Sequence, residues 1–213
     1  MCFSASASFV TGGALTIAGA INIKKTTALS QICFAAIPLL FGMQQITEGF
    51  VWLRLNSGSD KTLAMYIFLF FAQVIWPMWV PLSVWLLERN GKRKKFLFSL
   101  FCMGLLTSAY LAYLLLSHSV IARVKDHHIL YELDFYNALL AIPYFISTTL
   151  TCFFSSYRNV RWLALAVLAS FLVSKLYFRE ELISVWCFFA AIISTTVIFI
   201  MHRIRKTSLP LHK

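Results

Sequence analysis

The sequence predicts an all-α, polytopic membrane protein of seven transmembrane helices forming one domain over residues 1–213, and three observations predict it. Hydrophobic residues fill 60% of the positions and charged residues 13%, with a mean hydropathy of +0.76, so there is too little polar surface to clothe a soluble globule. The apolar residues fall into seven runs, each near the roughly 20 residues that cross a hydrocarbon core of about 30 Å. The basic residues are one-sided: 13 of the 19 lie at the same ends of those runs.

Taken in order, the first run, Ala5–Ile23, carries Ser8, Gly12, Gly13, Ala14, Ala18, Gly19 and Ala20, small residues that let helices approach closely. It has neither the basic leader nor the cleavage pattern of a secretory signal, and is expected to be retained and buried in the bundle. The second, Ala28–Leu55, holds Pro38 and Glu48. The third, Thr62–Leu87, holds Pro77 and Pro81 and ends before the basic turn 89–95. The fourth, Phe96–Ser117, precedes the longest connection, His118 to Asp134, the one loop large enough to act as a lid. The fifth, Phe135–Ser155, contains Pro143, the sixth is Val160–Phe178 and the seventh Ile183–His202. A proline at membrane depth removes a backbone donor and frees carbonyls that neighbours must satisfy.

Lysine and arginine concentrate on the cytoplasmic side of membrane proteins. Placing the N-terminus outside and the C-terminus in the cytoplasm puts Lys24, Lys25, Arg89, Lys92, Arg93, Lys94, Lys95, Arg158, Arg161, Arg203, Arg205, Lys206 and Lys213 inside. The six remaining basic residues are matched outside by six acids, so the net charge of +11 belongs to the cytoplasmic rim. That rim explains the pI of about 9.7 without nucleic acid as a partner. The expected partners are the lipid bilayer, with anionic lipids attracted by Lys92, Arg93, Lys94 and Lys95, and a small-molecule or ion ligand. The plasma membrane is the expected location.

Glu48 is the residue that asks for a function. Hydrocarbon cannot solvate a carboxylate, and an ionisable group inside a span marks a site by default. Gln44, Gln45, Glu48 and Trp52 recur at spacings of three and four and share one helix face. Gln73 reaches a similar depth in the third helix, which suggests a Gln44–Gln73 hydrogen bond. Trp52 and Trp186 fall where an outer aromatic belt is expected, whereas Trp76 and Trp79 read as packing residues. Topology brings Cys2 and Ser4, His127 and His128, Tyr131, and the turn from Tyr177 through Trp186 to Cys187 to the same outer leaflet as Glu48.

The expectation is an outward-facing polar pocket that binds, and by extension translocates, a small solute or cation, with Glu48 as the proton- or cation-responsive group. Its ligand-binding residues would be Ser4, Gln44, Gln45, Glu48, Trp52, Gln73, His128, Tyr131, Tyr177, Trp186 and Cys187. The alternative is a membrane-embedded enzyme at the outer leaflet. There Cys2 would be the nucleophile, with His128 or Glu48 as base, since removal of Met1 leaves a thiol beside an amine of pKa about 8. The five cysteines show no C-x-x-C spacing, His127 and His128 are adjacent rather than four apart, and no metal site is expected. Cys2 and Cys187 fall at the outer surface, where a disulfide between them is open; Cys33, Cys102 and Cys152 fall toward the cytoplasmic half.

Three motifs in order resemble one family: Met1-Cys2-Phe3-Ser4-Ala5, the stretch Pro38-Leu39-Leu40-Phe41-Gly42 running through Gln44-Gln45 and Glu48-Gly49 to Val51-Trp52, and Ser184-Val185-Trp186-Cys187-Phe188-Phe189-Ala190-Ala191. Together with Trp76-Pro77-x-Trp79-x-Pro81 and the pair His128 and Tyr131, they resemble an uncharacterised bacterial family of seven-helix membrane proteins that open with this pentapeptide. The resemblance implies a fold and a residue list, and no activity. Two other seven-helix classes do not fit. The last run lacks the mid-membrane lysine of retinal-binding rhodopsins, and it holds only His202 rather than the His-x-x-x-His pair of membrane hydrolases related to alkaline ceramidases.

Overall fold

In the computed structural model, residues 4–59, 62–125, 128–135 and 138–208 are described. They form a helical bundle with one two-stranded hairpin. We number the helices α1 (Ala5–Lys24), α2 (Leu29–Asn56), α3 (Leu63–Leu87), α4 (Gly91–Ser117), α5 (Ala138–Thr148), α6 (Arg158–Tyr177) and α7 (Leu182–Ser208), with strands β1 (Val120–Lys125) and β2 (His128–Leu133) between α4 and α5. Six of these helices are long and apolar enough to cross a membrane. The fifth expected run is instead a short helix containing Pro143, followed by a 3₁₀ turn, Leu150–Phe154.

α1 and α2 lie antiparallel along a seam of small residues. A Cβ added to Gly19 would sit 2.3 Å from Leu39 N, one on Gly42 would sit 2.5 Å from Thr16 Oγ1, and one on Gly12 would sit 2.8 Å from Ile46. Farther along, Gly49 meets Phe9. Each step of three or four residues along α1 is matched by an equal step back along α2, so the register holds for the length of the helix. The other face of α1 carries exposed Val10 and Ile17. α1 therefore lies at the edge of the bundle, packed on one side only, rather than buried within it.

The interruptions in α2 and α3 are served by neighbouring side chains, as a membrane interior demands. α2 breaks at Ala36, ahead of Pro38. There Trp79 Nε1 donates to the Cys33 carbonyl (3.0 Å) and Asn22 Nδ2 to the Ala35 carbonyl (3.1 Å). α3 widens into a π turn over Phe70–Ile75. In that register Pro77, having no N–H, leaves the Ala72 carbonyl five residues earlier without its donor; Tyr144 Oη supplies one at 2.6 Å. α4 closes on the same place, because Gly104 packs where a Cβ would lie 2.0 Å from the Pro77 carbonyl oxygen.

The expected lid loop is the hairpin. Val120↔Leu133 through Lys125↔His128 pair antiparallel, so Val120, Ala122 and Val124 share a face with Leu133, Tyr131 and Ile129. Val120, Ala122, Ile129 and Tyr131 bury against Val51, Trp52, Met65 and Phe68, forming an apolar core under the hairpin. Exposed ion pairs lie on its other face, Arg123–Glu132 within the hairpin and Lys125–Glu180 to the turn before α7. A second apolar core, around Phe34, Phe41, Trp76, Leu97, Leu163 and Met201, fills the opposite, basic half.

Two polar locks close that basic end. Glu88, buried at the end of α3, accepts from Arg89 N and Asn90 N (both 2.9 Å) and from Ser156 N (2.7 Å), tying the α3–α4 turn to the α5–α6 turn. Asn90 then caps α4, which starts at Gly91, five residues before the expected Phe96, so Lys92–Lys95 form its first turn. Arg93 donates to the Ser155 carbonyl (3.2 Å) and Lys94 lies over the Trp85 ring. In the second lock, Arg205 of α7 donates to Asn22 O and Oδ1, both at 3.2 Å.

Candidate functional site

Between the two apolar cores lies a layer of buried polar groups, and α2 positions most of it. Glu48 is 0% exposed. Its Oε1 accepts from Ser184 Oγ on α7 at 2.6 Å, while its Oε2 has no hydrogen-bond partner. Gln45 lies beside the same carboxyl, short of hydrogen-bond geometry, with both amide atoms unpaired. One residue earlier, Gln44 Oε1 accepts from Trp76 Nε1 at 2.7 Å, and the Gln44 amide nitrogen sits beside the Cys187 thiol. Phe41 stacks on the Trp76 ring at 3.9 Å and holds the indole in register. Trp52 Nε1, one turn beyond Glu48, is buried and unpaired. In a low-dielectric interior each such group costs about 1–3 kcal/mol, so this concentration marks α2 as a place where stability has been given up.

Two cavities flank this layer. One of about 170 Å³, between α3, α4, α5, α6 and α7, has Gln73, Tyr144, Lys175, Trp186 and Cys187 among its lining residues. The other, of about 70 Å³, lies deeper among α2, α3, α5, α6 and α7; it is lined by Phe34, Phe41, Trp76 and Leu163 and is almost wholly apolar. Tyr144, Trp186 and Cys187 line both and form the partition between them. Tyr144 and Phe171 contact the Trp186 ring edge-on at 6.0 and 5.0 Å, and the indole N–H of Trp186 is buried without a partner. Cys187 is thus shared three ways: it walls both cavities and backs onto Gln44 and Glu48.

The expected residues separate into groups. Gln44, Gln45, Glu48 and Cys187 come together, joined by Ser184, Trp76 and Tyr144, which sequence reasoning did not place in the site. Gln73 lines the larger cavity, and Trp76 rather than Gln73 bonds Gln44, because the π turn rotates α3 between them. Trp76 and Trp79 are hydrogen-bond donors as well as packing groups. Trp52 and Trp186 do not form a surface belt; Trp52 lies in the core beneath the hairpin and Trp186 in the partition. Cys187 is buried, not at the outer surface, and its thiol is free.

Tyr131 stacks on Phe68 (5.0 Å) and His128 meets Phe178 edge-on (5.1 Å), so both serve the hairpin's seat above Trp52. Ser4 caps α1 by accepting from Ala7 N. Tyr177 is 77% exposed at the end of α6 and contributes to neither cavity. Cys2, the nucleophile of the enzymatic alternative, lies outside the described residues, as does His127. Among the described residues no group of three or more His, Cys, Asp or Glu side chains could hold a metal ion.

Neither a curated protein nor a solved structure matches the chain. A family of unknown function, DUF6629, matches residues 1–212, and with nearly every residue covered the chain belongs to that family.

Proposed function

We propose that this protein is a seven-span protein of the plasma membrane, N-terminus outside and C-terminus in the cytoplasm, that binds and translocates a small solute, with Glu48 as the proton-responsive group. The seventh span is α5. Its eleven α-helical residues and five-residue 3₁₀ extension reach about 16 Å and about 10 Å, close to the hydrocarbon thickness. The basic end then faces the cytoplasm and the hairpin faces outside.

The observation that carries the reading is the position of Cys187, a single residue that is both wall of the larger cavity and neighbour of the buried Glu48 layer. A solute pressing on that wall reaches Gln44, Ser184 and Glu48 within one shell of contacts. A carboxyl in such surroundings changes charge only when water, a counter-ion or a rearranged donor reaches it, so its protonation is tied to what the cavity holds. A proton suits Glu48 better than a metal cation: Gln44 Oε1 is taken by Trp76 and Glu48 Oε1 by Ser184, which leaves Gln45 Oε1 and Glu48 Oε2 as the unpaired oxygens, too few for the six or more oxygen ligands of a hard cation. The cavity favours a compact, largely apolar solute with one polar or anionic group, which Gln73 and Lys175 would meet.

The test is reconstitution into liposomes loaded with a pH-sensitive dye and exposed to a panel of small amphiphilic solutes. At least one solute should drive proton movement in the wild type and none in Glu48→Gln. Solute-driven proton movement that Glu48→Gln leaves intact would sink the assignment.

A further inference from the structure

Away from the Glu48 layer, a groove of about 520 Å³ runs between α1 and α7 at the basic end, beside the Arg205–Asn22 lock. Its polar side carries the cations Lys25 and Arg205 with the His202 imidazole beside them, and its apolar side carries Ile21, Ile198 and Phe199; no acidic side chain lines it. We infer that this groove is a binding site for one anionic phospholipid, its phosphate held by Arg205, Lys25 and His202 and its acyl chains laid along Ile21, Ile198 and Phe199.

The Arg205 guanidinium is fixed before any ligand arrives. Two of its N–H groups are spent on Asn22 O and Oδ1, and Asn22 is itself held by the Ala35 carbonyl. A guanidinium has five donors, so three remain, presented in a planar fork that suits a phosphate and loses little further freedom on binding. Lys25 follows the last turn of α1, where it adds a flexible second charge. The apolar side selects a lipid over free phosphate, because Ile21 and Phe199 are exposed and an inorganic ion would leave them uncovered; this rests on the proposed membrane arrangement, which puts them against hydrocarbon. Basic pockets between transmembrane helices on the cytoplasmic side are suited to anionic headgroups for these reasons. The site differs from the Lys92–Lys95 turn, where Arg93 is engaged by the Ser155 carbonyl and Lys94 by the Trp85 ring.

The experiment is native mass spectrometry of the delipidated full chain titrated with phosphatidylglycerol, phosphatidylcholine or inorganic phosphate. The wild type should take up phosphatidylglycerol at about tenfold lower concentration than phosphatidylcholine, with negligible phosphate uptake. Lys25→Ala/His202→Ala, which leaves the Arg205–Asn22 lock intact, should lose most of that preference, and Lys92→Ala/Lys95→Ala should keep it. Equal uptake of the two lipids by the wild type, uptake of phosphate as readily as of phosphatidylglycerol, or loss of preference in the Lys92/Lys95 variant alone would overturn the assignment.

Discussion

Ser184→Ala removes one hydroxyl from the centre of the bundle, and its cost can be worked from the geometry. The bond to Glu48 Oε1 is short, 2.6 Å, and both residues are fully buried. A buried acceptor that loses its donor keeps a desolvation penalty of about 1–3 kcal/mol. Glu48 Oε2 makes no hydrogen bond, but the Gln45 amide lies beside the carboxyl, so a cost in the middle of that range, about 2 kcal/mol, is expected. For a chain of this size that corresponds to a fall in Tm of about 4–8 °C.

The control is the same substitution in a Glu48→Ala background. The cycle separates the Glu48 bond from everything else the serine touches, because any other contact of Ser184 is lost equally in both backgrounds. Ser184→Ala should therefore cost less in the Glu48→Ala background than in the wild type, and the double-mutant cycle should give a coupling of about 1–2 kcal/mol. Thermal unfolding of the four purified proteins in mild detergent measures it. A Ser184→Ala cost that is equal in both backgrounds would refute the Glu48–Ser184 bond as an element of the site.

Three further outcomes follow from the packing. Gly104→Val should abolish folding or lower Tm steeply, because even the first added carbon would meet the Pro77 carbonyl at 2.0 Å; Gly13→Val, where no atom lies within 4 Å, should be tolerated, and expression and unfolding of the pair would show it. At Glu88, burial pushes the carboxyl pKa up, but donation from the backbone at Asn90, Ser156 and Arg89 outweighs it and holds the pKa below the usual 4.5. Its stabilisation is thus complete above that usual value and is lost as pH falls through the lower folded value, so the stability gap between wild type and Glu88→Ala should be full at neutral pH and close in acid. Trp186→Ala should join the two cavities and speed modification of Cys187 by a small membrane-permeant maleimide several-fold; unchanged labelling would show that Trp186 is not the partition.

The bundle was legible because the bilayer sets one length for every span, and six of the seven apolar runs became long helices with ends close to those expected. α4 starts early because the spans were bounded by charge, whereas Asn90 caps a helix that carries its lysines in the first turn. The hairpin was read as a loop although its signal is present: Val120-x-Ala122-x-Val124 and Ile129-x-Tyr131-x-Leu133 alternate with period two across a short connection. Glu48 was legible as an anomaly of charge in hydrocarbon. Its partners were not, since pairing Gln44 with Gln73 by depth assumes regular helices, and the π turn in α3 swings Trp76 into that place. Tyr144 and Ser184 gave little warning, because a lone tyrosine or serine in an apolar helix is ordinary until a carbonyl or a carboxyl is found opposite it.

The central claim is that Glu48 changes protonation with the contents of the larger cavity. Mixing the lightly buffered, detergent-solubilised protein with the first solute found to raise its Tm, and following pH with an indicator dye, measures that directly. Uptake or release of up to about one proton per protein is expected in the wild type and none in Glu48→Gln with the solute still bound. Solute binding without any proton change in the wild type, or with the same change in Glu48→Gln, would contradict it.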